Sequence, residues 1–318
     1  MFCFEIPSLC PLAPNERIEY NSRSEGDCIV WFRSHEGVLT LYSGGSPARS
    51  CIVNAKSSKV VGLLAILVAL LAASGCVGGG RRAQVGYLRA EPKSVELGDV
   101  ESVRVEIRMG AGELDVAGGA DKLLEADLIY NVAELKPEVL YSNGTLIVQH
   151  PDVEGSTSLW DLTDYRYEWD LRLNNDVPMD MSIELGAGEI DLQLAGLSLN
   201  TLQVKVGAGV GTIDLTGAPS MTRLDVDIGA GDVTVDLTGD WAHDLDAKIK
   251  CGTGRATLWL PEDVGVRVSV ERGLGKVNAS GLKRDGKDYV NDAYGTSEVT
   301  LRIDVEAGIG VIDLELGK

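Results

Sequence analysis

A Gly-x-Gly element recurs along the second half of the chain and limits what the chain can fold into more than any other feature. Copies between residues 186 and 275 follow one another at steps of 21, 22, 23 and 21 residues. A fixed period of this length is typical of stacked repeats, in which each unit buries its apolar face against the next one. The copies are Gly186-Ala187-Gly188, Gly207-Ala208-Gly209, Gly229-Ala230-Gly231, Gly252-Thr253-Gly254 and Gly273-Leu274-Gly275, with Gly110-Ala111-Gly112 before them and Gly308-Ile309-Gly310 after them.

Apolar residues alternate with polar ones on both sides of each Gly-x-Gly. Val204 and Val206 precede one copy at this spacing, and Val233 and Val235 follow the next. A period of two residues predicts β-strands with one buried face. Because glycine has no Cβ atom and accepts positive φ, the element between the strands predicts a sharp bend. The sequence therefore predicts an all-β repeat fold, a β-solenoid (β-helix-like) stack of short strands with Gly-x-Gly bends and turns near residues 196, 217, 239, 261 and 281.

The charge balance and the setting of the glycines argue against nucleic-acid and nucleotide binding. The chain has 29 basic and 48 acidic residues, which give a net charge of −19. A nucleic-acid-binding surface needs a basic footprint instead. Gly-rich phosphate loops lead from a strand into a helix, whereas every Gly-x-Gly here leads into another alternating strand. We therefore expect no nucleic-acid partner and no cofactor.

An export signal is the most specific short motif in the chain. Lys56 and Lys59 precede an apolar run at residues 60–73, and Ser74-Gly75-Cys76 follows it. A basic segment, an apolar segment and a small-residue cleavage site together make a signal peptide. The cysteine resembles that of a lipoprotein lipobox, which implies lipidation of Cys76 and a membrane anchor at that residue. An uncleaved anchor and a buried core helix are the alternatives, although the 14-residue run is shorter than the ~20 residues that span a bilayer.

The chain is predicted to divide into five parts. Residues 1–52 precede the export signal without any repeat. We interpret them as a leader that is disordered or lies upstream of a true start near Val53, or else as a cytoplasmic tail ahead of an uncleaved anchor. Asn143-Gly144 predicts a β-hairpin in the less regular region before the repeats. The parts are the leader (1–52), the signal peptide with lipobox (53–76), a glycine-rich linker (77–92), an atypical N-terminal cap region (93–181) and the Gly-x-Gly repeat region (182–318).

Two segments resemble a known family of envelope proteins. They are GAGELDVAGGADKLLEADLIYNVAELKPEV (Gly110 to Val139) and EWDLRLNNDVPMDMSIELGAGEIDLQLAGL (Glu168 to Leu197), and both are similar to the N-terminal "toast-rack" domain of bacterial and archaeal envelope proteins. The similarity covers roughly residues 95–215. The later repeats resemble the C-terminal domain of LiaF-like cell-wall-antibiotic-response proteins and the related adhesin-like β-solenoids. The resemblance implies a membrane-associated envelope protein with a β-solenoid-like fold, and the LiaF-like part implies restraint of a two-component stress sensor.

Candidate residues for catalysis or metal binding are few. His150 and His243 are 93 residues apart, and Cys251 occupies an inward position that suits a small core residue. We therefore expect no catalytic residue and no bound metal. One alternative is that a column of outward-facing aspartates, three positions after the second glycine, binds Ca²⁺; the other interpretation of this column is a solvated polar face. The column is predicted to contain Asp115, Asp191, Asp214 (counted from Gly211), Thr234, Thr257, Asn278 and Asp313.

The predicted fold favours a binding role over catalysis, because stacked repeats usually offer extended surfaces. We therefore predict a non-catalytic, lipid-anchored scaffold or interaction protein on the extracytoplasmic face of the membrane, with an envelope protein as its partner. One alternative is a regulatory domain that acts on a membrane stress sensor. The other is a glycan-active β-helix enzyme, which would need paired carboxylates at a cleft, and no such pair stands out in the sequence.

Overall fold

The computed structural model describes residues 30–35, 38–43, 53–54, 85–151, 164–218 and 220–317 of the chain. The chain separates into two compact units, residues 1–79 and residues 80–318. In the first unit, the strands β1 (Val30–His35), β2 (Val38–Ser43) and β3 (Val53–Asn54) form an antiparallel sheet in that order. Apart from residues 53–54, the predicted export signal, including Cys76, lies outside the described residues and stays a prediction.

The second unit is one large sheet. Its described residues contain a short 3₁₀ helix, Ala133–Leu135, and no helix in this described part is long and apolar enough to cross a membrane. The 14 strands of the sheet are β4 (Val85–Val95), β5 (Val103–Gly118), β6 (Leu124–Val132), β7 (Glu138–Ser142), β8 (Thr145–Gln149), β9 (Tyr167–Leu173), β10 (Met179–Gln193), β11 (Leu199–Asp214), β12 (Arg223–Asp236), β13 (Leu245–Pro261), β14 (Gly265–Ser280), β15 (Lys283–Asp285), β16 (Asp288–Val290) and β17 (Thr300–Gly317).

Each Gly-x-Gly lies inside one continuous strand, so the predicted short strands are the two halves of longer, bent strands. We call the seven strands β5, β10, β11, β12, β13, β14 and β17 the rungs; arm one of a rung precedes its glycines and arm two follows them. Neighbouring rungs are parallel and their glycines are aligned, as Gly188 is with Gly112 on one side and with Gly209 on the other. The all-β solenoid-type stack is therefore confirmed. Glycines of positive φ confirm the turns at residues 196, 217, 239 and 281, whereas Pro261 is the last residue of β13.

The corners are stacked so closely that only glycine fits. Gly231 has a φ of 134°, and a Cβ atom on it would lie 1.7 Å from the carbonyl oxygen of Gly209 in the preceding rung. Gly229 has no unusual φ, but a Cβ atom there would lie 2.4 Å from the carbonyl oxygen of Gly207. Non-bonded atoms do not approach this closely, so any larger residue would push neighbouring backbones apart.

The core lies between the two arms of the rungs. Leu185 is buried just before the corner of β10, and Ile190 is buried two residues after its second glycine. The alternation therefore shifts by one residue across the corner, and the bent strand keeps its apolar side inward along both arms. Cys251 is buried in the same apolar cluster, at its predicted inward position, and burial raises the pKa of its thiol.

Two regions depart from a stack built in chain order. β17 lies between β13 and β14, although β14 precedes it in the sequence. At the other end of the sheet, β8 pairs with arm one of β5 and β9 pairs with arm two. Beyond β9, the sheet continues with β6 and then β4. The hairpin at Asn143-Gly144 is confirmed, since both residues have positive φ and join the antiparallel strands β7 and β8. The boundaries at residues 92 and 181 stay predictions.

Candidate interaction surfaces

The outward face of arm one is a ladder of alternating charges. Two residues before the first glycine, basic and acidic side chains alternate in register along six rungs, from β5 through β10, β11, β12 and β13 to β17, whereas Glu271 of β14 stands beside Glu306. Lys248 and Lys250 both contact Glu306, at N–O distances of 2.7 and 3.6 Å, and the hydrogen bond from Lys248 is the main cause of the lowered pKa of Glu306. Opposite charges across strands stabilise pairing and register. The ladder is Arg108, Glu184, Lys205, Asp227, Lys250 and Glu306.

Arm two has the opposite character where β9, β5 and β10 lie side by side. Each of these strands places a Glu and, two residues later, an Asp on the outward face, in register with its neighbours. Like charges directly opposite each other destabilise a sheet, so strand pairing does not explain this arrangement. Burial, and after it the carboxylates of Asp191 and Asp170, raise the pKa of Asp115. We call these six residues the acidic face: Glu168, Glu113, Glu189, Asp170, Asp115 and Asp191.

Basic side chains neutralise only one edge of the acidic face. Arg166 contacts Glu168 at an N–O distance of 2.5 Å, and Arg172 contacts Asp170 at 3.4 Å. Within the described ranges, the four carboxylates on β5 and β10 make no ion pair, and their side chains are exposed or half-buried. The acidic face is therefore a solvent-accessible, negatively charged patch on three adjacent strands.

The predicted polar column is correct except at one rung. Asp214 does not belong to it, because the register places Thr212 beside Asp191 on one side and Thr234 on the other. The corner of this rung, β11, ends at residue 209, so the prediction counted from the wrong glycine. Gly211 lies beyond the corner, at the position where the neighbouring rung β10 has an inward side chain.

The column does not have the character of a cation site. Asp313, only 8% exposed, accepts hydrogen bonds from Arg255 Nη1 and Asn278 Nδ2, both at 2.6 Å, so its charge is already paired. Threonines occupy the rungs between Asp191 and Asp313. In the part of the chain that the structure describes, no group of three or more His, Cys, Asp and Glu side chains could hold a metal ion. These observations favour the solvated polar face.

The two histidines occupy unrelated places in the stack. The His150 ring lies beside Gly110, and its Nδ1 atom is 3.2 Å from the carbonyl oxygen of Arg108. His243 lies in the loop between β12 and β13. They therefore do not form a common site.

Sequence reasoning missed four of the six residues of the acidic face, namely Glu113, Glu168, Glu189 and Asp170. The reason is that β9 has no Gly-x-Gly, so the register that places it beside β5 cannot be found from the repeat period. A weak signal was present, since Glu-x-Asp occurs at residues 113–115, 168–170 and 189–191. That signal acquires meaning only when the three strands are adjacent.

The sheet that carries both faces matches one protein-family model. This model is described as "N-terminal domain of toast_rack, DUF2154", and it matches residues 85–221 and 218–259, more than half of the chain. The chain belongs to the toast-rack family. The matched residues of this toast-rack chain contain the whole acidic face and the corners of β5 and of β10 to β13.

Solved structures similar to this toast-rack chain include several that are provisionally named as adhesion proteins. A provisionally named cell adhesion protein from Clostridium sporogenes is 28% identical, and the match covers 73% of this chain and 100% of that chain with a TM-score of 0.55. A provisionally named adhesin from Bacteroides fragilis is 11% identical over 74% of this chain and 100% of that chain, with a TM-score of 0.29. No curated protein matches the chain.

Proposed function

We propose that this toast-rack chain is a non-catalytic interaction protein of the cell envelope, which contacts a cationic partner through its acidic face on the extracytoplasmic side. The observation that supports this most is the contrast between the two arms. Charges on arm one alternate in sign across six of the seven rungs, and Lys248 pairs with Glu306, whereas the carboxylates on arm two of β9, β5 and β10 all stand beside like charges. The family membership and the adhesion name of the Clostridium sporogenes protein support a position at the cell surface.

A cationic partner is the class of ligand that this arrangement suits. Asp115 lies between Asp170 and Asp191 in the register, so its ionisation is opposed on both sides. Positive charges placed over the acidic face would relieve that repulsion and would also speed association through long-range attraction. Because exposed charges are screened within about 10 Å at 0.1 M salt, binding of this kind weakens as the salt concentration rises.

Neutralising the acidic face tests the proposal. The full chain and its variants are mixed with envelope fractions from the source organism, and the bound fraction is measured at several salt concentrations. The neutralised variant should bind roughly tenfold more weakly and lose its salt dependence. The neutralised variant is Glu113→Gln, Asp115→Asn, Glu189→Gln and Asp191→Asn; the matched control removes four carboxylates from arm one, Glu184→Gln, Asp225→Asn, Asp227→Asn and Asp304→Asn. Equal binding by the two variants would exclude the acidic face as the contact surface.

Anchoring to the membrane is a separate part of the proposal. Lipidation of Cys76 would tether the chain at the membrane, with residues 77–84 between the anchor and β4. Metabolic labelling with a fatty acid should mark the wild type and not Cys76→Ala. A label that persists in Cys76→Ala would rule out this anchor and leave the acidic face unaffected.

A further inference from the structure

The last strand of the sheet fills a slot between two strands that precede it. β13 and β14 are joined by only three residues, 262–264, yet β17 lies between them. It pairs in parallel with β13 from Leu245 to Pro261 and with β14 from Gly265 to Ser280. Because adjacent strands are about 4.8 Å apart, the two consecutive rungs stand about 9.6 Å apart. They form a slot, one strand wide, that β17 completes.

Polar side chains of both walls of the slot, β13 and β14, form specific contacts with β17. From β13, Asp246 Oδ1 accepts a hydrogen bond from Arg302 Nε at 2.8 Å, and Arg255 Nη1 donates to Asp313 Oδ2 at 2.6 Å. From β14, Asn278 Nδ2 donates to the other oxygen of Asp313, also at 2.6 Å. The inward side of the strand completes the core between the walls. Its buried residues are Leu301, Ile303, Val305, Ile312 and Leu314.

The neighbouring rung would fit this place poorly. If β14 lay directly against β13 with the corners aligned, Lys276 would stand beside Arg255, where β17 has Val311. Arg272 would then occupy the inward position that Ala307 has in β17. An unpaired charge turned toward an apolar core is costly. The side chains therefore select β17 over β14, and the selection does not depend on which chain supplies the strand.

The connection that leads to β17 is long enough to deliver the strand elsewhere. It consists of residues 291–299, folded into turns by hydrogen bonds such as that from the Ser297 amide to the Ala293 carbonyl oxygen at 2.9 Å. Nine residues can span about 30 Å when extended. Opening the turns that follow Asn291 breaks three main-chain hydrogen bonds, those from the Tyr294 amide to Asn291 and from the Thr296 and Ser297 amides to Ala293, and leaves the side-chain bonds of Asn291 in place. Transfer of β17 to an identical slot recreates the contacts that the strand makes with its walls and with the core.

We propose that β17 of a second copy of this chain can fill the slot, so that two copies associate by reciprocal exchange of their last strands. Addition of a strand to an incomplete sheet is an established mode of recognition, in which main-chain hydrogen bonds supply affinity and side chains supply specificity. The partner is a second copy because the polar contacts and the Gly-x-Gly corner of the slot match β17 along its whole length. The exchange does not involve the acidic face and is independent of the proposed function.

Complementary charge variants test the exchange. Asp313→Arg alters the strand and Arg255→Asp alters the slot, so each variant alone places like charges together within its own chain. When the two full-length variants are unfolded and refolded together, exchange restores opposite charges at both junctions. The mixture should contain heterodimers at roughly ten times the dimer level of either variant alone, measured by sedimentation and by the masses of differently tagged copies. The double variant, which restores the pair within one chain, is the matched control and should keep the wild-type dimer level.

A mixture of folded variants without heterodimers would overturn the exchange. A milder pair of substitutions covers the case in which the charge variants do not fold. Lys248 and Asp304 are register partners on the exposed side of β13 and β17, so cysteines there would be at a separation that a disulfide can bridge. Lys248→Cys and Asp304→Cys are placed in separate full-length copies, refolded together and oxidised. A disulfide joining residues 248 and 304 of different copies, identified by peptide mass, is expected; its absence, while the double-cysteine chain forms it internally, refutes the proposal.

Discussion

Gly231→Ala tests the claim that the corners exclude every side chain. Alanine would have to keep a φ of 134°, and its Cβ atom would meet the Gly209 carbonyl oxygen at 1.7 Å. The sparsely populated backbone conformation costs about 1–3 kcal/mol. Relief of the clash would require the two rungs to separate by about 1.5 Å at the corner, which would break roughly two main-chain hydrogen bonds at about 1 kcal/mol each.

The expected loss of unfolding free energy is therefore about 4 kcal/mol, a large part of the 5–15 kcal/mol that is usual for a folded domain. For a unit of this size, it corresponds to a fall of roughly 12 °C in the melting temperature. Thermal and denaturant unfolding of the full chain, followed by circular dichroism, measure both quantities. Native spectra at low temperature would show that the variant still folds before it melts.

Two further variants separate the causes. Gly217 has a φ of 68° in a turn, and a Cβ atom on it would meet nothing within 4 Å. Gly217→Ala therefore bears only the conformational cost, about 1 kcal/mol. Gly229→Ala bears only the clash, at 2.4 Å, and should rank between the other two. If Gly217→Ala were as destabilising as Gly231→Ala, backbone preference and not close stacking would explain the glycines.

Three further substitutions test individual groups. Asp115→Asn should increase the free energy of unfolding at neutral pH by up to about 1 kcal/mol, seen as a higher melting temperature, because the raised pKa of Asp115 means that its ionisation opposes folding. The gain should vanish well below pH 3.8, where the aspartate is protonated in both the folded and the unfolded chain. Tyr167→Phe should stabilise the chain by about 1 kcal/mol, because the buried hydroxyl has no hydrogen-bond partner among the described residues; denaturant unfolding with a lower midpoint would contradict this. Asn291→Ala should lower the free energy of unfolding by about 3 kcal/mol in the same assay. The Asn291 Nδ2 atom donates to the Val264 carbonyl oxygen at 2.7 Å, and its Oδ1 atom accepts from the Val266 amide at 2.9 Å. Wild-type stability would show that these bonds do not hold the β13–β14 connection.

The arms and corners could be predicted because their causes are local. Val226 and Ile228 before a corner, and Val233 and Val235 after it, are all buried as their spacing indicates. The buried face of a strand is visible in the sequence as a period of two residues. The corner is visible because it requires glycine at the same two positions in every copy. Cys251 followed the same rule and is a core residue.

The acidic face could be predicted only in part, because its members come from distant segments. Asp115 and Asp191 belong to rungs and were expected to face outward together, as they do. Glu168 and Asp170 lie on β9, and the pairing of β9 with β5 cannot be inferred from the repeat period. Asp214 shows a smaller error of the same kind, since Gly209 and Gly211 can each be taken as the second glycine of the corner and give two possible registers.

The amino-acid sequence by itself determined which residues form strands, where each strand bends and which side chains enter the core, because alternation and the absence of a Cβ atom act within about a dozen residues. Only the tertiary structure decided which rungs are neighbours, that β17 is inserted between β13 and β14, and that three Glu-x-Asp segments form one negative patch. All rungs present nearly the same corner and the same apolar arms, so local pattern cannot choose between partners. That choice depends on side chains that meet across strands after the chain has folded, such as Arg255 with Asp313 and Lys248 with Glu306.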